Sequence, residues 1–303
     1  MRVLLINMPI RVNASPNIVP TGVGILAQML EDAGHFCDVL DLNINRPEIT
    51  EEQVAGFLHA NKESYDLVGL SGMITTLCWQ KIVARLVRKR WGDCCLVSGG
   101  GLASDFGDGL FAWVPELDVV VRGEGEGPLH QVIGSVDRFK AGRAVLGPES
   151  VENLDRLPGV AWEKFDMEVY LGNAVWGVGA SNSSWTPFAM KRSINLISSR
   201  GCPYNCNFCD RHTTGDRNYR LCSTERLLRD VNEVIESFNV DFIGFVDDNF
   251  ISDKKRLREF LPLIAKTGIY WGCRGRLNEV DETLAADLRA AGCMTGGSSI
   301  SPP

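Results

Sequence analysis

The segment Leu67-Val68-Gly69-Leu70-Ser71-Gly72-Met73-Ile74-Thr75 reads as a short buried strand that breaks into a turn of small residues. A helix follows, with Trp79, Ile82, Val83, Leu86 and Val87 expected on one face. The same unit recurs on both sides. Upstream, Val3 to Asn7 is a first strand, and Val23, Leu26, Ala27 and Leu30 repeat at helical spacing until Gly34. Phe36 to Leu42 is a second strand. Thr50-Glu51-Glu52-Gln53 has the form of a capping box, opening a helix expected to bury Val54, Phe57 and Leu58. Downstream, Cys95 to Val97 and Val119 to Val121 complete five strands. Strands separated by helices imply an α/β fold with a doubly wound parallel sheet. Such sheets bind ligands beyond the carboxyl ends of their strands.

Those ends are built of small residues. Ser71-Gly72-Met73 follows the third strand, Ser98-Gly99-Gly100-Gly101 the fourth and Gly123-Glu124-Gly125-Glu126-Gly127 the fifth. One such turn is an ordinary tight turn. Three on one sheet edge point to a site where a large planar or phosphate-bearing ligand approaches the backbone.

Composition narrows the classes. Of 303 residues, 45% are apolar, enough for two domains with sizeable cores. A formal charge of −7 disfavours a broad nucleic-acid surface. No apolar run approaches the roughly 18 residues of a membrane span. Met1-Arg2-Val3-Leu4-Leu5-Ile6-Asn7 turns polar too soon for a signal peptide, so a cytoplasmic location is expected. Ten cysteines then suggest metal or redox chemistry rather than disulfides. Cys37, Cys78, Cys94 and Cys95 lie in apolar patterns and are expected as small buried hydrophobes. Cys202, Cys206 and Cys209 instead cluster in a polar loop.

That loop, Arg200-Gly201-Cys202-Pro203-Tyr204-Asn205-Cys206-Asn207-Phe208-Cys209, follows a strand at Ile194 to Ser198. Its C-x₃-C-x₂-C spacing offers three thiolates, which suit an iron–sulfur cluster and leave one iron of four open. The rival is a structural zinc site with Cys222 as fourth ligand. The flanking strand and a helix from about Thr224, carrying Leu227, Leu228, Val231 and Ile235, favour the cluster. Further βα units follow. Phe242 to Val246 ends in Asp247-Asp248-Asn249-Phe250, a helix carries Leu257, Phe260, Leu261 and Ile264, and Ile269 to Cys273 precedes a helix at Glu282 to Ala290.

Together these features resemble cobalamin (B12)-binding radical S-adenosylmethionine (SAM) proteins, including anaerobic porphyrin-ring cyclases and radical SAM methyltransferases. The resemblance implies a Rossmann-like cobalamin domain over 1–133, a linker over 134–192 and a radical SAM partial (β/α) barrel over 193–303. It implies that Thr21, Gly22, Ser71, Gly72, Met73, Gly99, Gly100, Gly123, Glu124 and Gly125 contact cobalamin. It places a [4Fe–4S] cluster on Cys202, Cys206 and Cys209, and SAM near Phe208, Asp247, Asp248 and Arg274, with Arg276 as an alternative to Arg274. It further implies a small-molecule substrate and an electron donor such as flavodoxin or ferredoxin. The expected chemistry is methyl transfer or cyclisation at unactivated carbon. No catalytic residue beyond the cofactor contacts is singled out.

Two departures stand out. Family members often carry Asp-x-His-x-x-Gly after the first strand, with the histidine on cobalt. Here Met8-Pro9-Ile10-Arg11 has none, and the string occurs as Asp210-Arg211-His212-Thr213-Thr214-Gly215 after the cysteine loop, out of context. Cobalt without a protein histidine is expected. The family barrel also has six βα units. After Cys293 the residues Met294-Thr295-Gly296-Gly297-Ser298-Ser299-Ile300-Ser301-Pro302-Pro303 argue against a further buried strand. Three units, a poorly ordered tail and an alternative identity as a truncated, non-catalytic cobalamin- or iron–sulfur-binding remnant follow as expectations.

Overall fold

The computed structural model describes residues 1–10, 16–44, 49–172, 190–204, 206, 209 and 218–298, the side chains of 295–298 excepted. Phe208, His212 with the rest of its string, Arg11 and residues 299–303 lie outside the described residues.

The first sheet contains β1 (Arg2–Asn7), β2 (Phe36–Asp41), β3 (Leu67–Ser71), β4 (Cys95–Gly99), β5 (Val119–Gly123) and β6 (Ala144–Glu149). All are parallel, in the order β2-β1-β3-β4-β5-β6. The chain steps from β1 outward to β2, then returns past β1 to β3, so the winding reverses between β1 and β3. A crevice opens at the carboxyl ends where the winding reverses. Strand alternation divides the core between the two faces. Val3 and Leu5 pack in one apolar cluster, Leu4 and Ile6 in another with Leu70, Val83 and Trp91.

The helix Glu51–Ala60 has the expected capping box, Thr50 Oγ accepting from the Gln53 amide and Gln53 Oε1 accepting from the Thr50 amide. Several expectations need correction. Phe57 is 37% exposed, because the sheet-facing stripe of this short helix is filled by Val54 and Leu58. The helix Leu77–Arg90 buries Gln80, Val83, Ala84 and Val87, leaving Trp79, Ile82 and Leu86 half-buried. Its contact stripe is therefore rotated from the one expected. Cys78 is exposed at the start of that helix, whereas Cys37, Cys94 and Cys95 are buried. The segment expected as an irregular linker also contributes β6 to the first sheet, paired with β5.

The second sheet contains β7 (Ser193–Leu196), β10 (Phe242–Phe245), β11 (Tyr270–Gly275) and β12 (Cys293–Ser298), all parallel, in the order β12-β11-β10-β7. Between β7 and β10, a two-stranded antiparallel stem joins β8 (Ser199–Arg200) to β9 (Arg220–Leu221). Among the described residues three helices cover this sheet, each capped by a side chain that accepts from the backbone of its first turn. Ser223 caps Thr224–Phe238, Asp253 caps Lys254–Thr267 and Asp281 caps Glu282–Ala290. Phe245, Phe250, Phe260 and Trp271 form a buried aromatic cluster, the Phe245 and Phe250 rings stacked at 4.5 Å.

The expected absence of a strand after Gly292 is overturned. β12 pairs with β11 from Trp271↔Cys293 to Gly275↔Ser298. Glycine and serine are poor in a strand flanked on both sides; among the described residues β12 pairs with β11 alone. Its start is fixed by Trp271, whose backbone N–H donates to the Gly292 carbonyl at 3.1 Å and whose indole donates to the Ala291 carbonyl at 2.8 Å.

The two sheets share a continuous core. Residues 154–171 wedge between them, burying Leu154, Ala161, Trp162, Phe165 and Leu171. Polar ties run to both sides. Lys164 pairs with Glu31, and Arg226 donates to the carbonyl oxygens of Leu157 and Pro158. Among the described residues no helix is long and apolar enough to cross a membrane.

Candidate functional site

The carboxyl edges of both sheets open onto one cavity of about 730 Å³. Strand register assembles its first wall, since Ser71 stands beside Gly99 at the ends of β3 and β4. Thr21, Gly22, Ser71, Gly99, Gly100, Gly123, Glu124 and Gly125 all line the cavity. Gly72 and Met73 do not; Gly72 packs under Gly100, and Met73 is half exposed outside the lining. Gly100 has φ +83°, and a Cβ there would stand 2.9 Å from the Gly72 carbonyl oxygen. Only glycine fits that approach without strain. Hydrogen bonds set the neighbouring turns. The Leu102 amide donates to the Gly72 carbonyl at 3.1 Å, and the Gly123 amide to Ser104 Oγ at 2.9 Å.

A polar pair that the sequence reading did not single out lies behind this wall. Gln80 is fully buried, and its Oε1 accepts from Ser98 Oγ at 3.1 Å. Its signal was its position, with Thr76, Val83, Ala84 and Val87, on the buried stripe of its helix.

The opposite wall includes Asp247 and Asp248, which have different environments. Asp247 is 1% exposed and accepts from the Ser198 amide at 3.1 Å, Ser198 Oγ at 2.8 Å and Ser199 Oγ. Burial raises its pKa, while the serine donors and Arg256 pull it back. It therefore clamps the end of β10 to the end of β7. Asp248 is exposed and lines the cavity, so its carboxylate can meet a cation there. Arg274 is exposed and outside the cavity lining. Arg276, in contrast, lies against the cysteine loop. Its guanidinium sits 4.1 Å from the Tyr204 ring centre, and Nη1 lies 3.7 Å from Cys206 Sγ. Tyr204 donates in turn to Glu279 at 2.7 Å.

Cys202, Cys206 and Cys209 are half-buried thiols without disulfides, and the Cys209 amide donates to the Cys206 carbonyl at 3.0 Å. Among the described residues no three His, Cys, Asp or Glu side chains converge to hold a metal ion. The fit to an iron–sulfur cluster therefore rests on donor chemistry, three accessible sulfurs on one short loop with a guanidinium beside one of them. Cys222 differs. It is buried below the stem, and burial pushes its thiol up to about 11, which disfavours the thiolate a metal needs.

The stem of the loop bears directly on the first sheet. Arg200 in β8 reaches Glu124 at 3.0 Å and Glu126 at 2.6 Å. Arg220 in β9 grips Glu124 with two nitrogens, at 2.7 and 3.1 Å. Burial raises the Glu124 pKa, but the Arg220 bond, the Val151 amide and Arg200 outweigh it and hold the carboxyl below its ordinary value.

Residues 9–133 match the family model described as the B12 binding domain. Over 302 residues the chain is 24% identical to an uncharacterized methyltransferase of Pyrococcus horikoshii, covering 93% of this chain and 61% of that protein. It is 25% identical to the anaerobic magnesium-protoporphyrin IX monomethyl ester cyclase of Rubrivivax gelatinosus, covering 92% and 51%. It is 28% identical to the hopanoid C-3 methylase of Methylococcus capsulatus, covering 75% and 43%. The chain thus spans between 43% and 61% of the length of these relatives. Among solved structures it shares the fold of the radical S-adenosylmethionine methyltransferase TsrM from Kitasatospora setae, determined with cobalamin and a [4Fe-4S] cluster bound. The TM-score is 0.66 at 16% identity, over 96% of this chain and 57% of that one.

Proposed function

We propose that this relative of B12-binding-domain radical SAM proteins is a cobalamin-dependent radical SAM enzyme, acting on a small molecule by methyl transfer or cyclisation at unactivated carbon. One observation carries the reading. The glycine-rich edge of a B12-binding sheet and the base of a three-cysteine loop open onto the same cavity. When bound, the cluster supplies the electron that cleaves SAM, and cobalamin supplies the methyl or radical-partner chemistry.

The chain's own residues bind, orient and enclose. Cys202, Cys206 and Cys209 hold the cluster, and Arg276 sets a positive charge beside Cys206. Ser71, Gly99, Gly100, Gly123 and Gly125, with Thr21 and Gly22, admit cobalamin to the sheet edge because they add little side-chain bulk. Met8, Pro9 and Ile10, after the first strand, carry no imidazole, so this segment would hold cobalamin without lending a histidine to it. Asp248 pairs with the SAM ammonium, while Asp247 fixes the strand ends. Leu5, Val97, Val121 and Leu196 give the cavity an apolar lining that keeps water from a reactive radical. A flavodoxin- or ferredoxin-type donor provides the electron. The cobalamin unit extends over 1–133 with β6 added, and the cluster-binding unit begins at 193.

The test is anaerobic reconstitution with iron, sulfide and cobalamin, followed by SAM and a low-potential reductant. Release of 5′-deoxyadenosine that requires the cluster is the expected result. A fully reconstituted chain that leaves SAM intact would rule the reading out.

A further inference from the structure

Arg200 and Arg220 stand directly opposite one another in the β8–β9 pair, the stem of the loop that carries Cys202, Cys206 and Cys209. Like charges at opposed positions destabilise a strand pair. Two residues per strand are also too few to hold a stem closed alone. Among the described residues, neutralising charge comes from the other sheet. Both guanidiniums converge on the turn after β5, Arg200 on Glu124 and Glu126, and Arg220 on Glu124. Arg220 also donates to the Val151 carbonyl at 2.6 Å, and the Val151 amide donates to Glu124 at 2.7 Å. At the mouth of the stem Gly201 has φ +78°, and a Cβ there would collide with the Asn218 carbonyl oxygen. The two stem strands therefore leave the cysteine loop at close quarters.

We propose that Glu124 and Glu126 are positioning residues that hold the stem of the cysteine loop shut from the neighbouring sheet, so the loop is preformed only while that sheet edge is intact. Glu124 then serves the cysteine loop rather than contacting cobalamin directly, because its carboxylate is already taken by Arg200, Arg220 and Val151. The proposal rests on the functional reading only in taking this loop as the cluster site. Its geometry stands without any cofactor.

Hydrogen exchange on the full-length, cofactor-free chain tests it. The reporters are the stem amides, Cys222 donating to the Ser198 carbonyl among them. In Glu124→Gln/Glu126→Gln these amides should exchange about ten-fold faster or more, the loss expected when charge-assisted bonds are removed. Amides of β1, β3 and β4 should be unchanged. Glu51→Gln, which breaks the exposed Arg85–Glu51 pair, is the control and should leave the stem untouched. Adding Arg220→Gln to Glu124→Gln should restore part of the protection, because it removes one of the two opposed cations. After reconstitution, the double variant should release iron to a chelator faster by a similar factor. Unchanged stem exchange, equal acceleration across the first sheet, or further loss on adding Arg220→Gln would each overturn the proposal. Accelerated stem exchange in a chain that takes up no iron would sustain it and sink the cluster reading instead.

Discussion

Gly100 approaches Gly72 so closely that a Cβ on Gly100 would stand 2.9 Å from the Gly72 carbonyl oxygen. The contact joins the turns after β3 and β4, and β3 is one of the two strands that flank the reversal of winding. Gly100→Ala must relieve both this clash and a φ of +83°. The substitution should cost about 1–3 kcal/mol in urea unfolding. It should also weaken cobalamin binding, measured by absorbance titration, because the displaced turn forms the cavity wall.

The two adjacent aspartates should separate by assay. Asp247→Ala leaves the Ser198 amide and two serine hydroxyls without their buried acceptor and should cost about 3 kcal/mol in stability. Asp248→Asn touches an exposed carboxylate and should stay within about 0.5 kcal/mol of the parent. Its effect should fall on SAM binding instead, roughly ten-fold by equilibrium dialysis.

Acidification should loosen the contact between the sheets through Glu124. Its folded-state pKa is held below the ordinary carboxylate value by Arg220, the Val151 amide and Arg200, with Glu126 as the neighbouring anion on Arg200. The stabilisation is therefore fully present above the unfolded pKa, about 4.3, and is lost as pH falls through the folded value. Chemical denaturation of the apo chain should show the gap between parent and Glu124→Gln narrowing below about pH 4. A constant gap would contradict this.

Cobalt should carry no imidazole. The described part of the loop after β1, Met8 to Ile10, contains no histidine. Electron paramagnetic resonance of the Co(II) form should lack nitrogen splitting from a protein ligand. Splitting abolished by His212→Ala would reverse this assignment.

Local pattern made the first sheet legible. Strand runs, helix stripes and glycine turns are each encoded within about ten residues, and Ser71, Gly99, Gly100 and Gly123 do line one cavity. The distinct role of Asp247 was not legible, because its serine partners lie nearly fifty residues upstream. The pairing of Glu124 with Arg220 spans 96 residues and joins two sheets, which no local period encodes. β12 is not legible because Gly-Gly-Ser is poor in a strand interior, whereas its start is set by Trp271, twenty residues away from the Ala291 carbonyl it binds. Cys78 was misplaced for a related reason. It sits within an apolar run, but at the first exposed turn of its helix.

The central claim is that Cys202, Cys206 and Cys209 together hold an oxygen-sensitive iron–sulfur cluster. Iron, sulfide and visible absorption measured after anaerobic reconstitution test it most directly. The parent chain should hold about four irons, with a broad absorption band that air bleaches. The variant with all three cysteines changed to alanine should hold essentially none. Full iron and sulfide in that variant would contradict the account.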